Sequence, residues 1–374
     1  MRIALNMTTL VQGGVLQRAV SFVQHLQQNA GGFDWRLFLS PRVAQELSSA
    51  GVTPPFPCEV LGPSPARNAA QRRGIASQID AADCDWVFTF AGPSYLRLRT
   101  PELMGVADGW VTHADRTAYR SLPSFRDRWR TWAASNYKLR WFRRSRRFVA
   151  QTETARRGLA ARLPVDLQAV SVVPNAVAPW YRTHRFRRPD RRSDAPREIL
   201  YFAAHYPHKR HDVLPQVASE LQRLGVERFR FLTTLGEETA IARQLRARAI
   251  SQHVAEHIQN LGTIPVSEGP GVYERATLCF VPSVLETFSA TYIESMAAGV
   301  PLVVTDLPFA REICGPAALY FDPRSPRHAA EQVARLLGDP ELQEHLVAAG
   351  RQQLALFPSP EAQITMYFEI FRSL

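Results

Sequence analysis

Short apolar runs rich in β-formers alternate along the chain with longer stretches in which apolar side chains recur at helical spacing. That alternation predicts parallel strands covered by helices on both faces, an α/β class. In the first half, strands are predicted at Ile3 to Asn6, Trp35 to Leu39, Trp86 to Phe90, Phe148 to Gln151 and Val170 to Val173, with helices such as Leu16 to Gln28 and Thr152 to Arg162. A break at Pro174-Asn175-Ala176 and the arginine-rich stretch Arg182 to Arg197 read as an exposed linker. A second series then predicts strands at Ile199 to Ala203, Phe229 to Leu235, Ile258 to Asn260, Leu278 to Pro282, Pro301 to Thr305 and Ala318 to Phe321. Its helices are predicted at His211 to Leu224, Thr239 to Ile250, Ala290 to Ala298 and Ser325 to Leu337. Two doubly wound, Rossmann-like domains in tandem follow: 1–175, a linker over 176–197, and 198–355. The remainder, 356–374, reads as a helix restarting after Phe357-Pro358-Ser359-Pro360 and packing back toward the N-terminal domain.

Composition narrows the setting. A length of 374 residues with 45% hydrophobic content is that of a folded protein of two to three domains, not a disordered chain. The four cysteines lie far apart with no C-x-x-C pair, which argues for a reducing compartment and against a disulfide framework or structural zinc. No stretch approaches the ~20 apolar residues of a membrane span, and the N-terminus lacks the features of a signal peptide. A cytoplasmic protein is expected, with peripheral contact to a membrane left open.

The formal charge of +11 is concentrated. From Arg116 to Arg147 stand eleven basic residues against the single acid Asp127, a local excess of +10, interleaved with the seven aromatics Tyr119, Phe125, Trp129, Trp132, Tyr137, Trp141 and Phe142, just ahead of Phe148. Cationic and aromatic side chains sharing a helix suit an anionic bilayer. The same composition also suits nucleic acid, but that partner leaves the next segment unexplained.

Leu278 to Thr305 reads strand, loop, helix, glycine stop, strand. Glu286 falls in the loop at the helix entrance and Glu294 eight positions later, about two turns further along, so both carboxylates can face one cleft. Carboxylates accept hydrogen bonds at both oxygens, which suits adjacent sugar hydroxyls. The N–H groups near Phe288, Ser289 and Ala290 open the helix and are free to meet an anion, with Thr287 beside them as a further binding candidate.

This segment resembles the Glu, seven residues, Glu signature of retaining glycosyltransferases of the GT-B fold, family 4, with Ser289 where the family usually has Gly and Ser295 where it has Ala. The resemblance implies two Rossmann-like domains facing across a cleft. It implies transfer of a sugar from a nucleotide-sugar donor to a glycan or lipid-linked glycan with retention of configuration, and neither metal nor cofactor. Glu286 would then hold the transferred sugar and Glu294 the ribose. His205-Tyr-Pro-His208-Lys209-Arg210 resembles the family's first C-domain loop, which makes Lys209 the expected diphosphate ligand; Ala203, Ala204 and His205 stand where the family often has an arginine, so the second phosphate cation is either absent or moved to Arg210. Gln12-Gly13-Gly14 looks like its N-terminal glycine loop, and Val173-Pro174-Asn175-Ala176 like its V-x-P-N-G-V element. Asp108 and His113 lie where the family often carries an acceptor-side acid, base or histidine. Other GT-B activities, such as a nucleotide-sugar epimerase, or a relative that only binds, fit the same motifs.

Overall fold

The computed structural model describes residues 1–11, 13–187 and 195–374; Gln12 of the glycine loop and 188–194 of the expected linker lie outside the described residues. Among the described residues, thirteen strands form two sheets in which every pairing is parallel. The first sheet contains β1 (Arg2–Met7), β2 (Asp34–Leu39), β3 (Cys58–Val60), β4 (Trp86–Thr89), β5 (Glu102–Gly105), β6 (Arg147–Ala150) and β7 (Val170–Val172), in the order β3-β2-β1-β4-β5-β6-β7. The second contains β8 (Arg197–Tyr201), β9 (Phe229–Thr233), β10 (Ile258–Asn260), β11 (Leu278–Val281), β12 (Leu302–Thr305) and β13 (Ala318–Phe321), in the order β10-β9-β8-β11-β12-β13.

Both orders reverse direction once, between β1 and β4 and between β8 and β11. At such a switch point two successive loops leave the carboxyl ends of neighbouring strands in opposite directions and open a crevice between them. In the second sheet the flanking loops carry Lys209 and Glu286. Strands β3 and β5 escape the apolar pattern for different reasons. The first is a three-residue edge strand with exposed side chains, and the second opens on a buried glutamate, Glu102.

The chain groups into two compact units. One comprises Met1–His113, Trp129–Asn175 and Pro358–Leu374; the other comprises Ala114–Arg128 and Ala176–Phe357. This departs from an uninterrupted 1–175 block: Ala114–Arg128 belongs with the second unit, where Thr117 lies beside Val213, Pro282 and Phe321. The exposed linker also needs correction over 176–187. Pro179 opens the helix Pro179–Thr183, and Val177 and Tyr181 are buried in the second core with Phe186 packed against it. The arginines there mask apolar residues spaced to face that core.

The last helix, Pro360–Arg372, is a core element of the first unit. Its Ile364, Tyr367, Phe368 and Phe371 join Phe22, Trp35 and Phe88. Each such burial contributes about 1.5–3 kcal/mol before entropy. Gly31, at φ +66°, is required beside it, because a Cβ there would lie 2.6 Å from the Phe368 ring.

Candidate active site

The loop after β8 turns through the short helices Pro207–Lys209 and His211–Val213. The loop after β11 runs into the helix Ala290–Ala298. Three hydrogen bonds tie these elements together. Val284 N donates to His208 O at 2.9 Å, the Thr291 hydroxyl donates to Phe202 O at 2.9 Å, and the buried Tyr201 hydroxyl, 3.2 Å from Ser283 Oγ, donates to Lys209 O.

Held this way, the Lys209 ammonium donates to Glu286 Oε1, with the two side chains 14% and 8% exposed. A buried ion pair offsets its own desolvation only when its geometry is good, and removing one partner strands the other charge. His211, its ring tilted against Tyr201 at 4.6 Å between centroids, is pushed down to about 3 by burial and by the Lys209 charge. It therefore stays neutral beneath the loop.

Glu294 faces this cluster from about one turn into the Ala290–Ala298 helix. Burial pushes its carboxyl up to about 7, opposed by the phenols of Tyr273 and Tyr181 and by the Lys209 charge. Tyr273 donates to Oε2 at 3.1 Å. Tyr181 interacts with the same carboxyl without reaching full hydrogen-bond geometry. At the helix entrance Ser289 occupies the N-cap position yet its hydroxyl caps nothing; it is buried at 2% exposure and has no hydrogen-bond partner. Of the first-turn N–H groups, that of Tyr292 donates to Ser289 O at 3.2 Å, while those of Ala290 and Thr291 precede the first intrahelical bond and carry the positive end of the helix dipole. Phe288 is buried against Phe357, rings edge to face at 5.7 Å, and Thr287 is buried beside it.

Lys209, Glu286, Thr287, Phe288, Ser289 and Glu294 thus come together at one switch point. Arg210 does not join them. It sits in the left-handed region at φ 57°, and its guanidinium forks onto Asp212 at 2.9 and 3.3 Å. There it lines a separate cavity of about 120 Å³ with Pro282, Phe321 and Arg324. Of the two alternatives for the second phosphate cation, this arrangement does not bring Arg210 beside Lys209.

In the first unit, Gly13 and Gly14 are exposed and open the helix Val15–Gln28 after β1. Gly13 has φ 85°, which demands glycine, whereas a Cβ at Gly14 would meet nothing within 4 Å. Asp108 and His113 cap opposite ends of the short helix Gly109–Thr112. The Asp108 carboxylate accepts from Trp110 N at 3.0 Å and from Lys138 Nζ at 2.6 Å, and His113 Nδ1 lies 2.7 Å from Thr112 Oγ1. Both are engaged in structure. Sequence reasoning missed Tyr181, Tyr201 and Tyr273, whose only signal was an aromatic residue at a core-like position within two or three residues of Pro or Gly, or at the end of an apolar run.

Comparison with known proteins agrees with this architecture. Residues 183–353 match the family described as glycosyl transferases group 1, and residues 12–180 match glycosyltransferase family 4. O-antigen chain mannosyltransferase B of Escherichia coli is 30% identical over 100 residues, 27% of this chain and 26% of its own length. O-antigen chain mannosyltransferase RfbU of Salmonella typhimurium is 22% identical over 182 residues, 48% of each chain. The chain thus spans about a quarter and about half of these two relatives. The solved structure of Anabaena HepE with UDP and glucose matches with a TM-score of 0.74 at 12% identity, covering 100% of this chain and 99% of that one. With one family model on each half and the two parallel sheets they require, the chain belongs to the family 4, group 1 glycosyltransferases and has the GT-B fold.

Proposed function

We propose that the protein transfers a sugar from a nucleoside-diphosphate sugar to an acceptor hydroxyl, with retention of configuration, in assembly of a surface polysaccharide of the lipopolysaccharide O-antigen kind. The observation that carries this reading is the convergence of Lys209, Glu286, Glu294 and a free helix entrance at the switch point of the second sheet. The mannosyltransferase relatives and the UDP-bound neighbour point the same way.

As the glycosidic bond lengthens, negative charge gathers on the departing diphosphate. Fixed donors aimed at it lower the barrier, each typically by about 2.7–4 kcal/mol. Lys209 and the first-turn N–H groups of the Ala290–Ala298 helix fill that role. In the ligand-free protein the ammonium is held by Glu286. Donor entry moves it from carboxylate to diphosphate and frees Glu286 for the hydroxyls of the transferred sugar, while Glu294 accepts from the ribose.

The test is calorimetric titration with a panel of UDP- and GDP-sugars, followed by NMR of the product's anomeric centre. The reading expects binding of one donor and an acceptor-dependent product of unchanged anomeric configuration. Donor conversion at the same rate without acceptor would contradict it in favour of an epimerase.

The acceptor side of the proposal is a lipid-linked glycan presented at an anionic membrane surface, where the protein would bind peripherally from the cytoplasm. No helix among the described residues is long and apolar enough to cross a membrane. The helix Phe125–Phe142 instead carries Phe125, Trp129 and Trp132 at 80%, 59% and 54% exposure. Spaced four and three apart, they share one face. Arg126, Arg130 and Arg140 are exposed on the same helix, whereas Phe142 is core and Trp141 is covered by Arg72. Sedimentation with anionic but not neutral vesicles is expected; no binding at low salt would contradict this part.

A further inference from the structure

Two phenols attend the buried Glu294 carboxyl. Tyr273 approaches from the helix Gly269–Arg275 and donates to Oε2 at 3.1 Å. Tyr181 approaches from the helix Pro179–Thr183, in the segment whose composition reads as linker, with its hydroxyl buried and short of full hydrogen-bond geometry. Their rings meet edge to face at 5.5 Å, so each restrains the other. Gly269 makes room for the arrangement, since a Cβ there would fall 2.2 Å from the Tyr181 oxygen. A buried phenol left incompletely satisfied calls for a reason.

We propose that Tyr181 and Tyr273 are positioning residues that hold the Glu294 carboxylate toward the paired hydroxyls of the donor's ribose. This rests on the assignment of Glu294 to the nucleotide. A carboxylate offers about four lone-pair sites; Tyr273 takes one on Oε2 and Tyr181 stands near enough to take another, which leaves the remainder for a cis-diol. Stripped of those donors, a carboxyl so deeply buried takes up a proton and turns one acceptor oxygen into a donor. The titratable groups that face it are Tyr181, Tyr273, Cys279 and Lys209. Burial raises both phenols and pushes the Cys279 thiol up to about 12, so these three stay neutral while the carboxyl, at about 7, titrates.

The experiment measures calorimetric affinities of the full chain for UDP, GDP and their 2′-deoxy counterparts from about pH 6 to about pH 9. Wild type, Tyr273→Phe, Tyr181→Phe, Gly269→Ala and Glu294→Gln are compared. Tyr273→Phe is expected to lose about tenfold in ribonucleotide affinity at neutral pH, the measure of one hydrogen bond to a charged group. Tyr181→Phe loses less. In both, affinity recovers as pH rises, with its midpoint displaced above the wild-type value, and the preference for ribose over deoxyribose falls. Gly269→Ala, which displaces the Tyr181 hydroxyl without removing it, should reproduce Tyr181→Phe. An unmoved midpoint and an unchanged ribose preference in folded Phe variants, with Glu294→Gln still abolishing binding, would overturn the clamp and leave the nucleotide site standing. Should wild type bind neither nucleotide, the nucleotide assignment fails and the clamp falls with it.

Discussion

Glu102 in the N-terminal unit and Glu294 in the C-terminal unit are both buried carboxyls, both pushed up to about 7 by loss of water and both met by hydroxyl groups. Their surroundings differ. Around Glu102 the partners close on one another: the Thr89 hydroxyl donates to it, Asn6 Nδ2 donates to Thr89 Oγ1 at 3.0 Å, and Thr8 donates to Asn6 Oδ1 through its amide at 3.1 Å and its hydroxyl at 2.7 Å. Around Glu294 the chain stays open. The Ser289 hydroxyl is buried without a hydrogen-bond partner, that of Tyr181 stops short of full hydrogen-bond geometry, and the nearby Lys209 holds the Glu286 carboxylate. A buried glutamate serves as scaffold where its neighbours satisfy one another and as a site where capacity is left over.

The largest expected effect tests the open side. Lys209→Ala should lower turnover by at least about 100-fold, as loss of a transition-state donor does, and Glu294→Ala by a similar factor through lost ribose binding, while melting curves stay cooperative. Unchanged turnover and nucleotide affinity in both variants would remove these assignments. Next, Glu286→Gln should lose transfer yet bind free UDP or GDP more tightly than wild type, because Lys209 is released from its ion pair. Weaker calorimetric affinity for both nucleotides in that variant would contradict the exchange of partners.

A third prediction sets the two glutamates side by side. Each has a folded-state pKa raised above its unfolded value, so the stability it contributes is present at acid pH and is lost as pH rises from the ordinary glutamate range through about 7. Thermal melts at about pH 5 and about pH 8 should show both Glu102→Gln and Glu294→Gln gaining on wild type as pH rises, with nucleotide affinity lost only in the second. Loss of nucleotide binding in folded Glu102→Gln would erase the distinction. The smallest effect falls on Asp108, whose carboxylate is already spent on a helix cap and Lys138. Asp108→Ala should cost about 1 kcal/mol of stability, as a lost cap does, and change turnover less than twofold. A hundredfold fall in turnover would make it an acceptor-side base after all.

Where hydrophobic period and element coincide, the sequence is legible. The helix Ala290–Ala298 and strands β10 and β13 fall where the pattern puts them, and the alternation of strand and helix suffices for two doubly wound sheets. The same order brings Lys209 to Glu286, 77 residues apart, because loops that flank a switch point are neighbours in space. Other features depend on directions that composition does not encode. Arg210 follows Lys209 in sequence, but its guanidinium pairs with Asp212. Tyr201 and Tyr273 look like core aromatics until their hydroxyls are followed to Lys209 and Glu294. Tyr181 is hidden among arginines.

The most direct test is a crystal structure of the protein soaked with UDP or GDP. The diphosphate is expected within hydrogen-bond reach of Lys209 Nζ and the N–H groups at Ser289 and Ala290, with the ribose hydroxyls on Glu294 and the Lys209–Glu286 pair broken. A nucleotide bound elsewhere, with that pair intact, would contradict the account.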